Sequence, residues 1–182
     1  MKYILVIFLS FATFNLYSQD IEFMHYLNVY RKHNEKESFK WSHSLGKIAS
    51  DQNKINEKQD SLSHSNKASE IAVMGNSLPS CKETKVDFIK FMKEELNLKY
   101  VEPKTNNEVA KLVKIYAIYK FHNSPKHKKI LLGNYKLIGF DFVIKDINFV
   151  SNKITIGDKT VELEKFESYY EVKYFFVVNL QK

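Results

Sequence analysis

The spacing of apolar residues changes from helix-like to strand-like in the last third of the chain. From Ile21 to about His33, Ile21, Met24, Leu27 and Arg31 share one helical face with Phe23, Tyr26 and Tyr30 beside it, which predicts a helix. A longer helix is predicted from Ser44 to about Leu62, on a stripe of Leu45, Ile48, Ala49, Gln52, Ile55, Gln59 and Leu62. The glutamines in that stripe matter, because a buried amide must find a partner. Small and polar residues dominate from Ser63 to Lys85, so this stretch reads as loop. Thr84, with Asp87 three residues on, reads as a capping box for a helix from Lys85 to about Leu96, with Val86, Phe88, Ile89 and Met92 facing the core. Thr105 with Glu108 repeats the signal for a helix from Asn106 to about Phe121. Ser124-Pro125 marks a third start, serine at N-cap and proline at N1.

Beyond these helices, Ile138, Phe140, Phe142 and Ile144 alternate with Gly139, Asp141, Val143 and Lys145. Tyr170, Val172, Tyr174, Phe176, Val178 and Leu180 alternate more cleanly still. Ile154–Ile156 and Thr160–Leu163 flank Gly157-Asp158 as a hairpin. Strands that follow one another without intervening helices predict an antiparallel sheet, and helices packed on it make an α+β domain.

The first 18 residues stand apart. Lys2 precedes an apolar run from Tyr3 to Phe14, and Leu16-Tyr17-Ser18 ends in a small residue, the pattern of a secretory signal peptide cleaved after Ser18. The run, ~12 residues, falls short of the ~20 that span a bilayer, and no later stretch comes close. Removing 18 of 182 residues leaves 164, enough for one domain, read as residues 19–182. The expected location is therefore extracellular or periplasmic. The formal charge of +7 suits either solubility or adhesion to anionic envelope surfaces. The lysines are spread out, with no aromatic-interleaved basic stripe, so no nucleic-acid partner is expected. Cys81 is the single cysteine, which excludes an intrachain disulfide, and it reads as an incidental loop residue rather than a catalytic thiol.

Candidate chemistry lies in two segments: Leu62-Ser63-His64-Ser65 with Glu70 six residues after the histidine, and Ser124-Pro125-Lys126-His127. With Ser124 as N-cap, His127 occupies N3, where the helix dipole disfavours imidazolium and keeps the ring in its metal-binding form. His64 and Glu70 share a loop, where a carboxylate can orient an imidazole N–H, accept a proton or join it on a metal. Each residue also has a plainer reading: His64 and Glu70 as solvated loop residues, His127 as packing over its helical turn. Two His and a carboxylate suit Zn²⁺ with an open position, although their spacing follows no local metal motif. His122 is a minor candidate by its nearness to His127. No nucleophile elbow, P-loop or Rossmann fingerprint is present.

Read in order, these segments resemble the CAP superfamily (SCP-like extracellular proteins) in its compact bacterial form. Asn28-Val29-Tyr30-Arg31 is similar to the opening Asn-x-x-Arg helix. Phe39-Lys40-Trp41 with Leu45 and Ala49 resembles the tryptophan-led entry to the second helix. Ser63-His64-Ser65, Ser69-Glu70-Ile71, Phe121 to His127, and Ile138-Gly139-Phe140 resemble the family's later signatures, in the right order. Ser69 and Ile71 depart from the family's Gly-Glu-Asn, and Phe121 replaces a tryptophan. A second family glutamate has no counterpart, since Glu108 lies 13 residues before Phe121, ~20 Å away along a helix.

The resemblance implies a three-layer α-β-α sandwich with helices on both faces of its sheet, and a surface cleft formed by His64, Glu70 and His127, supported by Ser124 and Pro125. It implies a secreted module that binds a small molecule, lipid or cell-envelope ligand, with Zn²⁺ on His64 and His127. The alternative is a metal-dependent hydrolase of peptide or cell-wall material with Glu70 as general base. A third reading makes the trio purely structural. The sequence names neither the ligand nor the oligomeric state.

Overall fold

The computed structural model describes residues 21–65, 68–79, 81–150, 153–156, 159–162 and 168–182. The leader read at residues 1–18 and the Gly157-Asp158 turn lie outside them. Helix α1 spans residues 21–33. It is followed by β1 (Lys40–Trp41), α2 (His43–Gln59), β2 (Ser69–Ser77), α3 (Lys82–Leu96), α4 (Asn106–Asn123), α5 (Pro125–Leu131), β3 (Leu137–Val150), β4 (Lys153–Ile156), β5 (Lys159–Glu162) and β6 (Tyr169–Gln181). The fold is α+β. Strands β4 and β5 pair antiparallel as a separate two-stranded sheet.

The main sheet has the order β1-β3-β6-β2 and is mixed rather than antiparallel. Its β2–β6 and β3–β6 pairs are antiparallel, but β1 runs parallel to β3, with Trp41 opposite Ile138. Two residues carry too little pattern to read as a strand, which is why this stretch reads as a helix entry. Strand β2 corrects the loop reading of Ser63–Lys85. Ile71-Ala72-Val73-Met74 supplied an apolar run, but the surrounding serines, glycine and asparagine masked it. An edge strand can carry such residues because only one side of its backbone must pair.

Alternation along β6 distributes the core. Val172, Tyr174, Phe176, Val178 and Leu180 join Ile71, Ile138 and Phe140 in the large cluster formed with α1, α3 and α4. Phe23 meets Phe140, Phe142 and Phe176 edge-on at 4.7–4.9 Å between ring centres. On the opposite face, Ala49 of α2 packs with Ala72 and Val177. Helix α2 lies so close to β3 that a Cβ on Gly139 would collide with the backbone of Leu45 and Gly46.

Several helix details differ from expectation. Ile21, Ile55, Leu62 and Val86 are exposed rather than core-facing. Helix α2 stops at Gln59, where Asp60 adopts a left-handed conformation (φ 53°). Its inward face continues through Gln52, Asn53 and Asn56 instead of Ile55. Helix α3 begins at Lys82 with Cys81 as N-cap, and Thr84 turns its hydroxyl to the Cys81 thiol at 2.8 Å instead of capping. The Thr105–Glu108 capping box forms as expected, and Ser124 and Pro125 occupy N-cap and N1 of α5, without a side-chain cap bond.

The residues that resemble the opening signature hold loops. Asn28 brackets Phe39, accepting from its N–H at 2.8 Å and donating to its carbonyl at 3.3 Å. Arg31, 2% exposed, donates to the carbonyls of Glu37, Leu131, Gly133 and Tyr135 and lies over the Phe39 ring. This buried cation ties the end of α5 to α1.

Candidate functional site

Glu70 lies near the start of edge strand β2, opposite Asn179 of β6, and its side chain faces α2. That side chain is 3% exposed. A carboxylate so buried needs donors for its lone pairs, and four are present. His64 Nδ1 lies 2.9 Å from Oε1, and the Ser65 hydroxyl donates to Oε2 at 2.7 Å. The Ser65 N–H is 3.3 Å from both oxygens. Asn179, its amide oriented to suit its neighbours, donates to Oε2 at 3.2 Å and accepts from the Ala49 N–H.

These bonds assign roles. Since Glu70 is the acceptor, His64 in its neutral form carries its proton on Nδ1 and leaves a lone pair on Nε2. The His64 side chain is 55% exposed, so the ring is accessible to an incoming group. Glu70 is the opposite: buried, engaged on both oxygens, and placed behind the imidazole.

His127 stands at N3 of α5 with Phe121 edge-on to its ring at 5.5 Å. Phe121 is itself buried against Phe176, so the core fixes this histidine from below. Burial lowers the His127 pKa below the ordinary histidine value, and the charge of Lys126, joined by that of His64 when protonated, pushes it the same way. The ring is therefore neutral at physiological pH, and it lies within electrostatic reach of His64. Helix α5, which carries His127, contacts β2, which carries Glu70, the partner of His64.

The structure thus joins His64 to Glu70 by a hydrogen bond and sets His127 on α5 against Phe121. Among the described residues, no group of three or more His, Cys, Asp or Glu side chains is arranged to hold a metal ion. A metal ion held here would have at most the two imidazole nitrogens to draw on, since Glu70 is engaged behind the His64 ring. Beside Glu70, a groove of about 520 Å³ is lined by Ser44, Leu45, Ile48, Ser69, Tyr135 and Leu180, among others. Neither histidine lines it; Ser69, adjacent to Glu70, links the two features.

His122 belongs elsewhere. Its Nδ1 lies 3.0 Å from the Tyr30 hydroxyl and its half-buried ring packs on Phe91, so it serves as a packing residue at the margin of the core. Cys81 is exposed, and its hydrogen bonds with Thr84 lower the thiol pKa, a feature the sequence does not signal. Glu108 is spent in its capping box at the far end of α4.

Sequence reasoning missed Ser65 and Asn179 as partners of Glu70. Asn179 could have been noticed as the one polar residue in the run from Tyr174 to Leu180. Compared with protein-family models, curated proteins and solved structures, the chain finds no match in any of the three.

Proposed function

We propose that the protein is an exported ligand-binding domain of the CAP type, whose working groups are the exposed imidazole of His64 and the half-buried imidazole of His127. The observation that carries this reading is the His64–Glu70 pair: a buried carboxylate holds an exposed histidine by Nδ1, and α5, which carries the neutral His127, contacts the strand that carries Glu70. A divalent metal such as Zn²⁺ would be held by His64 Nε2 and the His127 ring, serving as a Lewis-acid anchor for an anionic or carbonyl ligand group. Export rests on the leader-like first 18 residues, and the three-layer α-β-α arrangement on the resemblance.

The binding reading is favoured over the hydrolase. Glu70 already receives four donors, so it lacks the open lone pair that a general base needs. Two protein ligands also fall short of the usual three in catalytic zinc sites. Titration of zinc by calorimetry into the mature protein, beside the His64→Ala/His127→Ala double variant, tests the metal. One-to-one binding that the double variant loses is the expected result. Equal binding by both proteins would place the metal elsewhere; none by the wild type would leave a metal-free cleft.

A further inference from the structure

The inner face of α2 turns polar in its second half. Gln52 is 5% exposed, and Asn53 and Asn56 are fully buried. Buried amides cost free energy unless bonded, so three within five helical residues need a reason. Asn53 Nδ2 donates to the backbone carbonyl and the carboxylate of Asp141 at 2.8 and 2.9 Å, a link to β3, while its Oδ1 has no hydrogen-bond partner in the described structure. Gln52 and Asn56 do something different.

Both converge on Ser63, the residue before His64. Gln52 Nε2 donates to the Ser63 hydroxyl at 2.7 Å and to the Ser63 carbonyl at 3.0 Å. Asn56 Oδ1 accepts from the Ser63 N–H at 2.9 Å and from its hydroxyl at 2.8 Å. Gln52 also donates to Asn56 Oδ1 at 3.1 Å, which aligns the two amides. Every polar atom of Ser63 is therefore held by α2. The Asn56 carbonyl in turn accepts from the N–H groups of Asp60 and Ser61, so the same residue ends the helix and starts the return. On the far side of His64, Ser65 is tied to Glu70 by its N–H and hydroxyl.

We infer that Gln52 and Asn56 are positioning residues for His64: through Ser63 they set the backbone so that Nδ1–H meets Glu70 and Nε2 faces solvent. The inference takes from the functional reading only that His64 is the working imidazole. A clamp on both neighbours of an exposed residue removes the backbone freedom that a six-residue separation from Glu70 would otherwise allow. The geometry is thereby prepared before any ligand arrives.

Asn56→Leu keeps size and helix propensity but removes the acceptor. Asn56→Asp keeps Oδ1 for all three donors and replaces only Nδ2, which has no hydrogen-bond partner in the described structure. The readout is the ¹⁵N spectrum of the His64 side chain in the ligand-free full-length mature protein, which distinguishes Nδ1–H from Nε2–H. Wild type should show the Nδ1–H form. Asn56→Leu should shift His64 toward a tautomer mixture while the His127 signals stay in place, and Asn56→Asp should restore the wild-type pattern. Folded Asn56→Leu protein with an unchanged His64 tautomer overturns the inference. If that variant does not fold, Ser63→Ala, which removes the hydroxyl shared by both amides, decides by the same readout. Since no ligand is present, an absence of zinc binding would sink the functional reading and leave this result intact.

Discussion

On one face of the sheet, Phe23, Phe140, Phe142 and Phe176 meet ring to ring. On the other, the Ala49–Ala72–Val177 contact gives way along α2 to Gln52, Asn53 and Asn56. The aromatic face buries large side chains whose contacts are individually weak and collectively large, with ring pairs adding ~0.5–1.5 kcal/mol each. The amide face buries less apolar area and holds its neighbours by direction instead. Hydrogen bonds contribute only ~1 kcal/mol net, yet they fix a geometry that apolar contact leaves free. The site follows this division. His127 rests on the aromatic side through Phe121, and His64 is aimed from the amide side through Ser63, Ser65 and Glu70.

The largest expected effect comes from the aromatic face. Phe176 is fully buried and stacks on Phe142 at 3.8 Å, so Phe176→Ala should cost ~3–5 kcal/mol in urea unfolding. The folded fraction should keep the wild-type His64 tautomer; loss of that tautomer would mean the two faces are not separate in function.

A smaller loss is expected at the junction. Glu70→Gln supplies one acceptor oxygen and an NH₂ group where His64, Ser65 and Asn179 all present donors. At least one buried donor is then unmatched, which should cost ~1–3 kcal/mol and release the His64 ring. Unchanged stability together with an unchanged ¹⁵N pattern would remove Glu70 from its assigned role.

The smallest effect sharpens the amide face itself. Burial raises the Asp141 pKa above its ordinary 3.8, although the bond from Asn53 pulls the other way. The folded state therefore holds this proton to higher pH than the unfolded chain does. Its contribution to stability is greatest below pH 3.8 and falls as pH rises through the raised folded value. Asp141→Asn retains an acceptor for Asn53 without the charge. It should raise the melting temperature slightly at neutral pH, with the gain fading in acid. A melting temperature that drops at neutral pH would show that Asn53 needs the carboxylate.

Much of this was legible in the linear chain. The α+β class, the strands β3 and β6, the Thr105 capping box and the Ser124-Pro125 start all depend on neighbours within a few residues, where periodicity and capping chemistry act. The His64–Glu70 contact was within reach for the same reason, being six residues apart. Local pattern did not reveal β1 or β2, because a two-residue strand and a serine-rich edge strand owe their form to β3 and β6. It also placed Ile55 inside and overlooked Asn53 and Asn56. Helix α2 is rotated by the close approach of Gly139 and by the acceptors of Asp141, which lie 88 residues from Asn53.

The sequence alone therefore determined which segments can be helix or strand and which residue types can do chemistry, because those properties are set by covalent structure and near neighbours. Only the tertiary structure decided that Glu70 is buried and saturated, that His64 meets it through Nδ1, and that Phe121 packs against the His127 ring. Burial and hydrogen-bond partnership depend on what distant strands bring to the same place, and at the β2 edge those partners come from Asn179, Ala49 and Phe121.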